Sequence, residues 1–128
     1  MKINHVALYC LDLEKMKEFF LHYFNGISND MYHNPKTGLK TYILSFEDSY
    51  TKLELMTRSE VENTECDIYR QGLIHLSFSV GSEKDVDNLT KIIREDGYQV
   101  LSEPRTTGDG YYESCIVGPE NILIEITV

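Results

Sequence analysis

Two histidines and two glutamates carry the chemistry that this chain can offer, and each sits in a short stretch of alternating character. His75 lies in Gly72-Leu73-Ile74-His75-Leu76-Ser77-Phe78-Ser79-Val80. Read as a β-strand, Ile74, Leu76, Phe78 and Val80 share one apolar face, fit to pack under a helix, while Leu73, His75, Ser77 and Ser79 share the other. A strand with one apolar face and one face of small polar groups plus a histidine looks onto a cavity rather than a second core. His5 repeats the arrangement in Ile3-Asn4-His5-Val6-Ala7-Leu8-Tyr9, with Val6 and Leu8 opposite Ile3, His5 and Ala7. Glu54 in Leu53-Glu54-Leu55 and Glu125 in Ile122-Leu123-Ile124-Glu125-Ile126 are flanked by aliphatic residues, so both carboxylates face away from the apolar side. Two imidazoles and two carboxylates make a donor set of two nitrogens and two oxygens for a divalent metal. Without a cysteine among them, a closed structural zinc site is disfavoured. Nickel, cobalt, manganese, iron or zinc in an open six-coordinate site all suit such donors. The alternative is four satisfied polar residues. It needs partners for two carboxylates in an apolar-lined cleft, which a cation supplies at once.

The order His…Glu, His…Glu recurs at an offset of 70 to 71 positions, the mark of internal duplication. Asp12 and Ser82, both good helix N-caps, follow the histidine strands at offset 70. The helical stripe Met16, Phe19, Tyr23 is matched by Val86, Leu89, Ile93, and Asn25-Gly26-Ile27 by Asp96-Gly97-Tyr98. Pro35-Lys36-Thr37-Gly38 is echoed by Pro104 to Gly108 with one residue inserted.

The elements that must hold these residues read as strand, helix and three strands, twice. The first half, residues 1–57, opens with a strand over Lys2 to Tyr9. A helix capped by Asp12 follows, with Leu13, Met16, Phe19, Phe20, Tyr23 and Phe24 on one face and Gly26 as the left-handed C-cap. A short strand over Ile27 to Tyr32 leads to a turn at Pro35–Gly38, then strands over Leu39 to Phe46 and Tyr50 to Thr57. Residues 58–71 form a polar, acidic linker with a helical turn near Asp67 to Gln71. The second half, residues 72–128, runs from the His75 strand to a helix from Ser82 to about Asp96, closed by Gly97. A strand from Tyr98 to Ser102, a loop from Pro104 to Gly110 and a strand from Tyr111 to Val117 follow. Gly118-Pro119-Glu120-Asn121 then turns into a last strand over Ile122 to Val128. Offsets of 70 and 71 assign the faces of the Tyr111–Val117 strand oppositely. His22 and His33 have no echo in the second half and read as surface residues.

Composition bounds the function. A chain of 128 residues is one domain's worth, and 41% hydrophobic content is ordinary for a globular protein. A net charge of −9 argues against nucleic acid and anionic membrane as partners. No apolar run approaches a membrane span, and the N-terminus does not read as a signal segment. Cys10, Cys66 and Cys115 are odd in number and widely spaced, which suits a reducing cytoplasm better than a disulfide framework.

These residues resemble the vicinal oxygen chelate superfamily, the glyoxalase/bleomycin resistance/dioxygenase group, and within it glyoxalase I (lactoylglutathione lyase). The likeness rests on Asn4-His5-Val6, Lys52-Leu53-Glu54-Leu55, the stretch from Ile74 to Val80, and Pro119 through Glu125 to Ile126, and spans essentially the whole chain. It implies an α+β fold of two tandem βαβββ modules, each a curved half-barrel, making one domain over 1–128. It also implies His5, Glu54, His75 and Glu125 as metal ligands, with nickel or zinc ahead of cobalt or manganese. In short bacterial members the modules commonly pair across a homodimer, so each site would draw His5 and Glu54 from one chain and His75 and Glu125 from the other. Iron dioxygenases and fosfomycin-modifying thiol transferases of the superfamily lack an acid at the Glu54 position, and methylmalonyl-CoA epimerase has glutamine there. Bleomycin-sequestering proteins keep the fold without the ligands.

The implied reaction isomerises the hemithioacetal of methylglyoxal and a thiol cosubstrate to a 2-hydroxyacyl thioester through an enediolate held by the metal. Glu125 is the implied general base, then acid, with Glu54 as second ligand and partner in that transfer. The alternatives are another metal-dependent enzyme of the superfamily (epimerase, dioxygenase or thiol transferase) and a metal-free drug-binding resistance protein. Two departures stand out. The usual Asp-Pro-Asp/Glu-Gly-Asn turn is here Gly118-Pro119-Glu120-Asn121-Ile122, where Asn121 can take the left-handed conformation of the missing glycine. Tyr9 and Cys10 stand where well-known bacterial enzymes carry an arginine for glutathione, which leaves the thiol open. Arg58, Arg70 and Arg105 are candidates for an anionic substrate tail, set against ordinary solvated arginines.

Overall fold

A computed structural model of the chain describes residues 1–63, 69 and 71–128. It divides into two compact units, Met1–Glu65 and Cys66–Val128. The expected helical turn near Asp67, together with Cys66 and Arg70, lies outside the described residues.

In the first unit, β1 (His5–Tyr9) leads to α1 (Leu13–Phe24), then β2 (Ile27–Ser28), β3 (Tyr32–His33), β4 (Lys40–Ser45) and β5 (Lys52–Thr57). The helix starts where Asp12 accepts a hydrogen bond from the Lys15 N–H at 3.0 Å. It buries Leu13, Met16, Phe19, Phe20 and Phe24, a 3.6-residue stripe laid against β2, β4 and β5. Phe19, Phe20 and Phe24 pack edge-on and tilted, with ring centroids 5.5 to 5.9 Å apart. Full burial of Phe20, Leu44 and Leu55 contributes roughly 1.5–3 kcal/mol each.

The left-handed residue that ends α1 is Asn25 (φ 51°), not Gly26. Gly26 serves close approach instead. A Cβ there would meet the Phe20 carbonyl oxygen at 3.2 Å and the Phe46 ring at 3.3 Å. The strand expected over Ile27–Tyr32 is two strands of two residues, both paired to β4. Between them the Asn29 side chain accepts the Ile43 N–H at 2.7 Å, substituting for a backbone partner and interrupting the ladder. Strand β1 begins at His5 rather than Lys2, although the Asn4 carbonyl still accepts the Lys52 N–H at 3.0 Å.

The second unit repeats the plan with β6 (His75–Ser79), α2 (Glu83–Glu95), β7 (Gln99–Thr106), β8 (Tyr112–Val117) and β9 (Leu123–Thr127). Ser82 caps α2 by accepting the Asp85 N–H, and Gly97 (φ 92°) closes it. Val86, Thr90 and Ile93 are its buried face. The loop expected from Pro104 is strand through Thr106. Proline is tolerated because β7 is the sheet edge, and two register shifts around Ser102 absorb the lost donor. The turn therefore falls at Thr107–Gly110, and the echo of Pro35–Gly38 at Pro104 is not a structural equivalence. In the turn before β9, Asn121 is left-handed (φ 62°), as expected, and Glu120 joins it (φ 54°).

Both sheets follow one topology. Strand order is β1-β5-β4-β2, with β3 also on β4, and β6-β9-β8-β7. In each, the first strand runs parallel to the last, while the remaining neighbours are antiparallel. The helix covers one face: Tyr42, Leu44, Leu53 and Leu55 are buried in the first unit, and Ser114, Ile116, Ile124 and Ile126 in the second. Among the described residues, no helix is long and apolar enough to cross a membrane.

Two polar features tie helix to sheet. The Thr90 hydroxyl donates to the Val86 carbonyl at 2.6 Å and lies 2.6 Å from the Ser114 hydroxyl, all buried. Thr90→Val should cost about 1–3 kcal/mol in urea unfolding by stranding the Ser114 hydroxyl. The double variant with Ser114→Ala should lose less than the sum of the singles. In the first unit, Glu14 takes hydrogen bonds from Lys17 and from the Tyr42 hydroxyl, each at 2.6 Å. Lys17 first, then Tyr42, hold its carboxyl below the usual range. Ionised Glu14 therefore stabilises the fold above the ordinary glutamate pKa, and that contribution disappears as pH falls through the lowered value. Glu14→Gln should flatten the acid side of a melting temperature–pH curve and match the parent once both are uncharged.

Candidate metal centre

Parallel pairing of first and last strands puts each histidine beside its glutamate. Ala7 pairs with Glu54 in β1/β5, and Ser77 with Glu125 in β6/β9. His5 and His75 lie two residues earlier on their strands, hence on the same face and diagonal to the carboxylates. The His5 Nε2 to Glu54 Oε2 distance is 3.5 Å, and the His75 Nε2 to Glu125 Oε2 distance is 3.7 Å. A His–Glu pair thus forms in each unit, on the face away from the helix. The glutamate side chains are about one-fifth exposed and the histidines about two-fifths, so all four reach solvent.

Both distances exceed a hydrogen bond. Two ligands at about 2.0–2.2 Å from one cation stand about 2.8–3.1 Å apart at a right angle and about 3.3–3.6 Å apart at the tetrahedral angle. Both pairs lie near that span, so a small side-chain adjustment would bring each onto a shared ion. His5 is also set up as a donor. Its Nδ1 lies 2.9 Å from Asn4 Oδ1, so the tautomer with its proton on Nδ1 would donate there and leave Nε2 open to a cation. Each pair, taken within its own unit, offers one nitrogen and one oxygen, donor types that would suit a divalent metal. Among the described residues, no group of three or more His, Cys, Asp or Glu gathers within either unit.

The surroundings of the two pairs differ. Across the sheet from Glu54 stand Ala7 and Ile43, with Thr41 one rung on; across from Glu125 stand Ser77 and Cys115, with Glu113 one rung on. The equivalence of Ile43 with Cys115 sets the offset between β4 and β8 at 72, which shares its face assignment with 70 and excludes 71. The Ser77 hydroxyl donates to Glu125 Oε1 at 2.6 Å. Glu113 is raised above the usual carboxylate range, first by burial and then by the charge of Glu125. The Cys115 thiol is pushed up by burial, then by Glu125 and Glu113, which makes it a poor nucleophile. Glu113 and the Asn4 side chain are the site residues that sequence reasoning missed. Alternation from Cys115 would have found Glu113 once the register was fixed.

Other expectations resolve locally. His22 and His33 are exposed. Arg58 is paired with Glu60 at 2.6 Å, and Arg105 is exposed with its Nε 3.2 Å from the Ser102 hydroxyl. Tyr9 shares the face of His5 and is exposed.

A family model described as the Glyoxalase/Bleomycin resistance protein/Dioxygenase superfamily matches residues 2–126, and the chain belongs to that superfamily. Two Bacillus subtilis (strain 168) proteins, uncharacterized proteins YqjT and YwkD, are 26% and 30% identical over 127 residues. Each match covers 97% of this chain, with 96% and 94% of the relatives covered. The glyoxylase/bleomycin resistance protein/dioxygenase domain from Frankia sp. EAN1pec superposes with a TM-score of 0.83 at 20% identity, over 100% of this chain and 97% of that one. Glyoxalase I from Zea mays superposes at 0.79 with 17% identity, over 98% of this chain and 44% of its own length. These likenesses establish the fold of two βαβββ modules.

Glu113 gives a measurable consequence. A carboxyl whose pKa is raised on folding costs stability when ionised, and the cost grows as pH rises through the raised value. In metal-free protein Glu113→Gln should raise the melting temperature at neutral pH, and the gain should vanish at acid pH, where the parental carboxyl is protonated.

Proposed function

We propose that the protein is a metal-dependent lyase of the glyoxalase I type. It would isomerise the hemithioacetal of methylglyoxal and a thiol to a 2-hydroxyacyl thioester in the cytoplasm. The repeated His–Glu pair carries this reading: the same two donors, on the same diagonal, 3.5 and 3.7 Å apart. Glu54 adds weight, because an acid at that position distinguishes glyoxalase I from the one-glutamate members of the superfamily. His5, Glu54, His75 and Glu125 would hold one divalent ion, nickel or zinc first, with cobalt or manganese as substitutes. In a homodimer each site would take His5 and Glu54 from one chain and His75 and Glu125 from its partner. The bound cation supplies Lewis-acid stabilisation of charge on the oxygens beside the breaking C–H bond.

The chain's own residues do the rest. Glu125 takes the proton from C1 of the hemithioacetal and returns one to C2, acting first as base and then as acid. The hydroxyl proton on the C1 oxygen moves to the C2 oxygen, so C1 becomes the thioester carbonyl and C2 the carbinol, with no net redox change. Glu54, on the other pair, assists that transfer. The partly exposed glutamates suit the task, since a carboxylate must reach substrate and still be screened from bulk water.

The test is metal analysis of the purified protein, joined to an isomerisation assay with methylglyoxal and several thiols in nickel, cobalt and zinc forms. Glu125→Gln should retain metal and lose at least about 100-fold in kcat, the usual contribution of a positioned general base. His5→Ala and His75→Ala should each weaken metal binding. Bound metal without isomerisation would point to another metal-dependent enzyme of the superfamily, and no bound metal to a metal-free binding protein.

A further inference from the structure

The two glutamates are held differently, although their strands superimpose in plan. Ser77 is the residue directly beside Glu125 in the β6/β9 pair, and its hydroxyl donates to Glu125 Oε1 at 2.6 Å. The other oxygen, Oε2, is the one 3.7 Å from His75 Nε2. Oε1 thus takes a fixed hydroxyl and Oε2 faces His75, with the Glu113 carboxyl also close to this carboxylate. Ala7 occupies the matching place beside Glu54 and has no hydroxyl to offer.

A hydroxyl-to-carboxylate bond of this length is charge-assisted and among the stronger side-chain hydrogen bonds. The terminal torsion of a glutamate is otherwise broad, so its oxygens sample many orientations. Ser77 sits on a strand, with a short side chain whose position the backbone sets. It can therefore fix that torsion in a way that a residue on a loop or a long side chain could not. A partner of this kind orients a ligand before the metal arrives.

We propose that Ser77 is a positioning residue for Glu125, holding Oε1 so that Oε2 faces the same cation as His75. The two modules are then unequal by construction. The second carries a carboxylate already oriented, and the first carries one with no hydroxyl neighbour in the equivalent place. This inference rests on the reading of the four residues as metal ligands.

Titration calorimetry of the purified dimer-competent full chain with Ni²⁺ alone tests it without reference to turnover. Ser77→Ala should weaken Ni²⁺ binding about 10-fold, and Ser77→Thr, which keeps the hydroxyl, should stay near the parental value. In a Glu125→Ala background the Ser77→Ala change should have no further effect. In the isomerisation assay Ser77→Ala should lower kcat while KM stays level. The melting temperature of the metal-free variant reports that it is folded. If the parental protein binds Ni²⁺ and Ser77→Ala binds it equally well, this inference falls and the metal reading stands. An additive loss in the Glu125→Ala background overturns it too, because Ser77 would then act other than through Glu125. If the parental protein takes up no Ni²⁺, the metal reading itself falls and takes this one with it.

Discussion

Everything functional in this chain depends on the parallel hydrogen bonding of the first strand of each unit to its last. His5 and Glu54 are far apart in sequence, as are His75 and Glu125, yet the β1/β5 and β6/β9 ladders bring the pairs to 3.5 and 3.7 Å. Register matters as much as adjacency. A slip of one residue would send the histidine to the face opposite the glutamate, because side chains alternate. The apolar face prevents that slip: Leu53 and Leu55, or Ile124 and Ile126, must stay under the helix, which holds the glutamate between them on the open face. Burial of aliphatic side chains thus positions the polar ones.

The same backbone plan supports two different chemical environments. In the first unit the neighbours of the carboxylate are Ala7 and Ile43, which offer no side-chain polar atoms. In the second they are Ser77 and Cys115, with Glu113 beyond. Burial and the proximity of Glu125 raise Glu113, so the second unit sets a carboxyl that resists ionisation beside its glutamate, where the first unit has none. The strands, the helix caps and the His–Glu diagonal recur in both units, while the residues around the diagonal differ. The superfamily to which the chain belongs is described by glyoxalases, bleomycin resistance proteins and dioxygenases together.

Much of this was legible in the residues alone. Alternation around His5, His75, Glu54 and Glu125 assigned the four side chains to open faces, and the structure places them there. Asp12 and Ser82 were readable as caps because a short side-chain acceptor satisfies an otherwise unpaired N–H. The left-handed Asn121 was readable from the turn. Less legible were features in which a side chain replaces backbone pairing. Asn29 splits one expected strand into two, and the bulges of β7 carry Pro104 inside a strand. Nothing in local propensity announces either, because both depend on which strand lies alongside.

Periodicity, capping and the internal repeat determined the order of elements and the faces of the chemistry-bearing strands, since those follow from local geometry and from which side chains avoid water. The tertiary structure alone decided that β1 lies beside β5 and β6 beside β9, that Ile43 and Cys115 are equivalent, and that Ser77 reaches Glu125. Those are pairings between distant segments. Their energy comes from ladders and packing that form only when the whole unit closes, so no short window of residues contains them.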